Sequence, residues 1–86
     1  DEEELLEQEV EENVYLFSAR HEIDYLNEKY HLEIEEGDYE TLGGYILSIY
    51  KDLPNEEDII ETDEFSFEIV QTQNNRIEII KLSKVT

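Results

Sequence analysis

The side chains that could do chemistry in this chain have types and spacings that define no catalytic centre. The two histidines, His21 and His31, are ten residues apart, which is about 15 Å along a helix and too far to share a metal ion or a proton. The chain has no cysteine, so it has neither a thiol nucleophile nor a thiolate metal site. The sequence places no base beside any of the serines that we considered as nucleophiles: Ser18, Ser48, Ser66 and Ser83. We therefore expect no catalytic residues and a protein that is not an enzyme.

Carboxylates are the most abundant potential ligands, with 25 acidic against 6 basic side chains and a net charge of −19. Their oxygen atoms suit Mg²⁺ or Ca²⁺. The best candidate is "EIEEGDYE" (33–40), where Glu35, Glu36 and Asp38 flank Gly37, although it lacks the fixed ligand steps of an EF-hand loop. Two interpretations stay open, namely weak binding of Mg²⁺ or Ca²⁺ and a solvated surface that attracts cations without a defined site.

The few basic residues restrict the anions that this chain can bind. Arg76, Lys81 and Lys84 lie near the last predicted strand and are our candidates for contact with a flavin or nucleotide. The alternative is that they balance local acidity on an exposed strand. A charge of −19 repels phosphate backbones, so we expect no nucleic-acid partner and no anionic membrane surface as a partner.

The stretch "DYETLGGYILSIY" (38–50) has the apolar spacing of a helix but contains Gly43 and Gly44 side by side. A glycine inside a helix costs about 1 kcal/mol relative to alanine. Two explanations fit, close packing of the helix backbone or a phosphate bound at a helix N-terminus. Packing is favoured, because Asp38 and Glu40 precede the glycines and repel anions, and no lysine accompanies them.

The elements that position these residues follow from periodicity and from residues that start or end helices. Residues 1–13 are predicted as an acidic helix whose apolar stripe is Leu5, Leu6 and Val10. Residues 14–21 alternate like a strand, and a helix follows from residue 22 to near His31. A second helix is expected to begin with Asp38 as its N-cap and to end at Pro54.

The C-terminal third is predicted to be β-structure, with strands at 58–61, 65–71 and 76–84. Residues 72–75 form the turn between the last two, since Asn74 and Asn75 tolerate positive φ. Phe65, Phe67 and Ile69 are expected to share one strand face, and Ile77 and Ile79 a face of the next strand.

This order, β-α-α-β-β-β, predicts an α+β fold in which two helices pack on a small, mostly antiparallel sheet. The 86 residues are enough for one domain. We divide them into an acidic linker or helical extension (1–12) and the folded domain (13–86). No apolar run approaches the ~20 residues that span a bilayer, so we expect a soluble fragment with no direct membrane insertion.

Three segments resemble the CorC/HlyC transporter-associated domain over roughly 13–84. They are "IDYLNEKYHLEI", "DYETLGGYILSIYKDLP" and "FSFEIVQTQNNRIEIIKL". The most specific element is the run Tyr39-Glu40-Thr41-Leu42-Gly43-Gly44, in which we regard Tyr39, Thr41, Leu42, Gly43 and Gly44 as a structural motif. One position departs from the family, which usually has a Pro-x-x-Gly-Asp turn after this helix. Glu57 stands at the glycine position of Pro54-Asn55-Glu56-Glu57-Asp58, so the sequence leaves open whether the turn is left-handed there.

The resemblance implies a regulatory or interaction domain that modulates ion transport. In that family the domain is the cytoplasmic C-terminal part of a membrane protein of the bacterial inner membrane, linked to Mg/Co efflux or named haemolysin. The implied partners are a CBS-domain pair and the transmembrane region of the same chain, and a homodimer is a further alternative. The fold is similar to part of the FAD-binding domains of some oxidases, so FAD is suggested by fold analogy only, and no cofactor is expected to be required.

Overall fold

The computed structural model describes residues 5–85, which form a five-stranded antiparallel sheet with two helices on one face. The elements in chain order are β1 (Glu7–Glu11), β2 (Val14–Ser18), α1 (Ile23–Tyr30), α2 (Leu42–Tyr50), β3 (Ile59–Glu61), β4 (Phe65–Gln73) and β5 (Arg76–Lys84). The predicted α+β arrangement is confirmed, with β1 as an additional strand before it.

The core lies between the sheet and the helices. The strands are ordered β1-β2-β5-β4-β3, and the predicted face of Phe65, Phe67 and Ile69 is fully or almost fully buried. The ring of Phe67 lies 5.7 Å from that of Tyr45 on α2. On β2, the ring of Phe17 lies 5.4 Å from that of Tyr30 on α1. Aromatic side chains therefore join each helix to the sheet.

The first helix ends where the sequence predicts, since His31 adopts φ 56° and its N–H donates to the Asn27 carbonyl. The second helix differs at both ends. Its N-cap is Thr41, whose hydroxyl accepts a hydrogen bond from the Gly44 N–H at 3.2 Å, so the prediction of Asp38 as N-cap is wrong. It ends at Tyr50, with Lys51 left-handed, before Pro54 is reached.

The predicted acidic helix over 1–13 is wrong for residues 7–11, which form the edge strand β1. This strand pairs antiparallel with β2, with Glu7 opposite Phe17 and Glu9 opposite Tyr15. Backbone pairing with an open sheet edge outweighs the poor strand propensity of glutamate. Residues 1–4 of that prediction lie outside the described residues.

The hairpin of β4 and β5 is longer than predicted and contains a bulge. Its turn consists of Asn74 and Asn75 alone, at φ 55° and 64°, as two-residue hairpin turns require. The register shifts near Gln71, which pairs with Ile79. The prediction that Ile77 and Ile79 share a face is therefore wrong in the folded sheet, because Ile77 is buried whereas Ile79 is only partly buried.

Candidate functional site

The glycine pair lies in the first turn of α2, where the backbone presses against the connection from β2 to α1. The Gly43 N–H donates to the Ala19 carbonyl at 2.9 Å. A Cβ atom on Gly43 would lie 3.1 Å from the Ala19 Cβ and 3.3 Å from its carbonyl oxygen. Neither glycine has a positive φ, so close approach and not backbone conformation explains Gly43.

The donors of this helix N-terminus are used within the chain. The Leu42 N–H donates to the His21 carbonyl at 2.9 Å, and the Gly43 and Gly44 N–H groups bind the Ala19 carbonyl and the Thr41 hydroxyl. A phosphate cradle needs N–H groups that point at the ligand. The geometry therefore supports the packing explanation and offers no donors from these three groups to a phosphate.

The three basic candidates for cofactor contact do not converge. Arg76 begins β5 and Lys84 ends it, so their backbones are roughly 26 Å apart at the rise of a strand. Lys81 lies on the opposite sheet face from its buried neighbours Ile80 and Leu82. A diphosphate cannot contact all three together.

The acidic candidates are divided between two clefts. Glu36 lines a cleft of about 340 Å³ with three other acidic residues, Glu22, Asp24 and Glu40. Glu35 lines a second cleft of about 320 Å³ with Glu33, Asp63 and Glu64. Asp38 lines neither cleft. Within residues 5–85, no three His, Asp or Glu side chains are placed so that they could hold a metal ion.

Glu7 forms a dense polar cluster that the sequence does not predict. Its carboxylate accepts hydrogen bonds from the Tyr25 hydroxyl at 2.8 Å, the Tyr30 hydroxyl at 2.6 Å and the Lys29 ammonium at 2.6 Å. These donors lie on α1, so the cluster fastens the edge strand β1 to that helix. The sequence shows that Tyr25 and Lys29 share a helix face, but their acceptor lies on a segment whose sequence predicts a helix and not a strand.

The cluster changes the acidity of its members. Burial acts to raise the pKa of the Glu7 carboxyl, but the hydrogen bonds from Lys29, Tyr30 and Tyr25 outweigh it and lower the pKa from 4.5 to about 2. Burial and the hydrogen bond to Glu7 raise the pKa of Tyr30 to about 12. The Glu7 carboxylate is therefore charged across the physiological pH range.

The sheet surface that faces away from the helices is partly open to solvent. We call it the outer face, and on the three central strands it consists of Val14, Leu16, Ser66, Glu68, Val70, Ile79, Lys81 and Ser83. Lys81 stands between Leu16 and Glu68 in the register, so one positive and one negative charge are neighbours. The outer face of these strands is thus neutral in a chain of net charge −19.

Apolar side chains remain open to solvent on and beside the outer face. Val70 is 43% exposed and Ile59, which is paired with Glu68 at the sheet edge, is 59% exposed. Neither helix of the described residues is long and apolar enough to cross a bilayer. The structure thus has the architecture of a small α+β domain with helices on one sheet face. The other face is partly open to solvent, is neutral on its three central strands and is flanked by Glu61 on the edge strand β3.

The family model of the CorC_HlyC transporter-associated domain matches residues 8–86, and the chain belongs to that family. No curated protein sequence matches the chain. A region associated with a putative Mg²⁺ and Co²⁺ transporter (CorC) of Neisseria meningitidis is similar, at 19% identity and a TM-score of 0.81 over 92% of this chain and 98% of that one.

Two further solved structures share the fold. A transporter-associated domain of a Xylella fastidiosa hemolysin, in complex with Mg²⁺ and Mn²⁺, has 23% identity and a TM-score of 0.78 over 94% of this chain and 99% of that one. The domain from a CBS domain protein of Porphyromonas gingivalis has 25% identity and a TM-score of 0.74 over 90% and 94%.

Proposed function

We propose that this chain is a non-catalytic regulatory domain of a membrane-anchored ion-efflux or hemolysin-like protein, and that it modulates ion transport by docking. The observation that carries the proposal is the outer face, which exposes Val70, lies beside the exposed Ile59 and is neutral on its three central strands in a strongly acidic domain. The docking partner is another part of the same parent chain, namely its CBS-domain pair or transmembrane region on the cytoplasmic side of the membrane. The names of the Neisseria and Porphyromonas structures support this context.

The physical chemistry of the outer face favours docking. Burial of Ile59 and Val70, which are about half exposed, would contribute about 1–2 kcal/mol each. Lys81 and Glu68 are register neighbours of opposite charge, so docking over the central strands would bury two charges that can pair and not one charge alone, which would be strongly unfavourable. A second copy of this domain is a less favourable occupant, because two chains of charge −19 repel each other.

Hydroxyl-radical footprinting tests the docking proposal by comparing this domain alone with the same domain in its parent chain. We expect the outer-face residues Leu16, Val70 and Ile79 to be modified more slowly in the parent chain. Ile49 and Tyr50, which are 38% and 42% exposed on α2, serve as internal controls and should react equally in both samples. Equal modification of the outer face in both samples would contradict the proposal.

A second candidate function is weak binding of divalent cations, favoured by the Mg²⁺ and Mn²⁺ complex of the Xylella domain. The two clefts beside the 33–40 loop supply the carboxylates for it, through Glu36 in one and Glu35 in the other. Because the described carboxylates form no preassembled metal site, binding would need side chains to move and would be weak. Flavin binding gains no comparable support, since the basic candidates are spread along β5.

Thermal unfolding at fixed ionic strength tests cation binding. We expect Mg²⁺ to raise the midpoint of the wild-type domain more than an equal ionic strength of Na⁺ does. The double variant Glu35→Gln/Glu36→Gln should lose that excess, whereas Glu11→Gln/Glu12→Gln removes the same charge elsewhere and should keep it. If both variants respond as the wild type does, the cations act only by screening.

A further inference from the structure

Strand β3 is a free edge of the sheet. It is the last strand in the order β1-β2-β5-β4-β3 and pairs with β4 over its whole length, with Ile60 opposite Phe67. The strand at the opposite edge, β1, has an irregular register between Glu9 and Glu11. Since an edge strand offers its outward backbone groups to another strand, β3 is the edge better suited to accept one.

The outward backbone groups of β3 belong to Ile59 and Glu61. On either side of them, the Asp58 carbonyl and the Thr62 N–H each form a hydrogen bond of 2.9 Å to the backbone of β4. Because the direction of hydrogen bonding alternates along an antiparallel strand, Ile59 and Glu61 direct their N–H and C=O groups away from β4. Within residues 5–85, no backbone hydrogen bond outside the sheet ladder uses these groups. They are therefore available to an added strand.

The side chains of Ile59 and Glu61 lie on the same side of β3, because they are two residues apart. Ile59 is 59% exposed, and Glu61 is exposed as well. Among the described residues, Glu61 has no ion-pair partner. An added strand would therefore cover an apolar side chain and meet an unpaired carboxylate two residues further along.

The charge around β3 determines which strand can be added. Between residues 52 and 75 the sequence has eight acidic residues and no lysine, arginine or histidine. All basic residues of the sheet lie on β5, two strands away. A second copy of the domain would bring its own acidic edge against Glu61, and like charges that face each other across a strand pair are unfavourable. The edge therefore favours a basic segment and disfavours pairing of the domain with itself.

We propose that β3 binds an extended basic segment by strand addition. An apolar side chain of the segment lies against Ile59, and a lysine or arginine two residues away pairs with Glu61. Backbone hydrogen bonds supply the affinity and these two side-chain contacts supply the specificity. The proposal rests on the proposed function for the origin of the segment, which is the parent chain, and adds the conformation and charge of the segment that docks.

The test is titration of the domain with the acetylated and amidated peptide Lys-Thr-Val-Thr-Lys-Thr-Val-Thr-Lys, in which lysine and valine alternate on one face. We expect saturable binding, with the amide signals of Ile59, Ile60 and Glu61 shifting in ¹H–¹⁵N spectra. Added NaCl should weaken binding, because it screens the attraction between the charges. The same peptide with glutamate in place of lysine should not bind.

Two substitutions of Glu61 separate strand addition from charge attraction. Glu61→Pro removes an outward N–H, and proline is tolerated in an edge strand where the N–H faces solvent. It should weaken binding at least about tenfold. Glu61→Gln removes only the charge and should weaken binding about two- to fivefold, as expected for an exposed ion pair. Slow hydrogen exchange of the Ile60 amide, which lies in the ladder with β4, shows whether β3 stays paired in each variant.

Reversal of one charge tests the specificity. Glu61→Lys should bind the glutamate peptide and lose the lysine peptide. Glu11→Lys makes the same change at an exposed position of the opposite edge strand and should bind the lysine peptide about as tightly as the wild type does.

Three results would overturn the proposal. One is the absence of saturable binding of the lysine peptide, and another is wild-type affinity in both Glu61→Pro and Glu61→Lys. The third is equal weakening by Glu61→Lys and Glu11→Lys, which would mean that only net charge matters. Footprinting of the parent chain fails separately from these titrations. Protection of Leu16 and Val70 there, without peptide binding at β3, would overturn strand addition and leave docking through the outer face in place.

Discussion

At the scale of single residues, Gly43 and Glu7 are two positions where the identity of the residue matters for the fold. Gly43 brings the backbone of α2 against Ala19, and Glu7 holds β1 on α1 through three donors. The sequence indicates the close approach at Gly43, since adjacent glycines in an apolar helix need a packing or ligand explanation. It could not indicate the cluster around Glu7, because these hydrogen bonds join residues 18 to 23 positions apart. In addition, Glu7 belongs to a strand with a helix-like composition.

Substitution of the two glycines separates close packing from helix propensity. We expect Gly43→Ala to lower the free energy of unfolding by about 1–2 kcal/mol, because Ala19 is almost fully buried and cannot move away. Gly44→Ala should cost less than half of that, because its nearest neighbour is Tyr39 in a partly exposed loop and the helix gains from alanine. Urea unfolding measures both, and a Gly43→Ala variant as stable as the wild type would refute close packing.

Glu7 should make the free energy of unfolding depend on pH in acidic solution. Its pKa is lowered from 4.5 to about 2 on folding. The stability that the charged carboxylate contributes is therefore complete above pH 4.5 and disappears as the pH falls towards 2. At pH 7 we expect Glu7→Gln to reduce stability by about 1–2 kcal/mol, and the difference from wild type should shrink between pH 4.5 and 2.

The control for this prediction is Glu11→Gln, which removes one charge from an exposed position of the same strand. Its free energy of unfolding should equal or slightly exceed that of the wild type, because removing one negative charge from a strongly negative chain reduces charge repulsion. A Glu7→Gln variant whose deficit is the same at pH 3 and pH 7 would show that the charge of Glu7 does not stabilise the fold.

At the scale of elements, the sequence predicts both helices and four of the five strands, and its errors have physical causes. Asp38 and Thr41 are both N-cap residues by type. Two tertiary contacts select Thr41. An antiparallel β-bridge joins Glu22 to Thr41, and the Ile23 N–H donates to the Glu40 carbonyl. These tertiary contacts extend the chain as far as residue 41 and start the helix there.

Pairing across the sheet explains the remaining errors. Strand β1 exists because β2 offers it an edge. The register shift near Gln71 skips Glu78 and so returns Ile77 to the buried face, while Ile79 stays on the outer face. Neither feature has a local signal.

The turn after α2 has Glu57 at the position where the family resemblance implies a glycine, and this difference gives a prediction about stability. Glu57 adopts φ 75°, so the left-handed conformation is present although the usual glycine is missing, and its N–H donates to the Ile69 carbonyl at 2.7 Å. A non-glycine residue pays about 1 kcal/mol or more for this conformation. We expect Glu57→Gly to raise the free energy of unfolding by about 0.5–1 kcal/mol, as measured in urea.

The variant Glu57→Ala is the matched control, because it removes the same charge but keeps a Cβ atom. It should not be stabilised by as much as Glu57→Gly. Equal stabilisation by both would mean that relief of charge repulsion, and not of backbone strain, is responsible.

At the scale of the whole molecule, charge and burial divide the surface into distinct regions. The 33–40 loop and its surroundings are lined with carboxylates. The outer face is instead neutral on its three central strands, with exposed apolar groups on it and beside it. An acidic surface discourages contact with nucleic acid and with other copies of the domain. The outer face is therefore the surface on which a partner can dock with the lowest electrostatic cost.

The most direct test of the account is ion flux through the parent protein with its outer face altered. The double variant Ile59→Ser/Val70→Ser changes two exposed positions and should leave the domain folded, as its unfolding midpoint can verify. If the domain regulates transport by docking through this face, the flux of the double variant should change to the level seen when the whole domain is deleted. Wild-type flux in the double variant, together with altered flux on deletion, would contradict docking through the outer face.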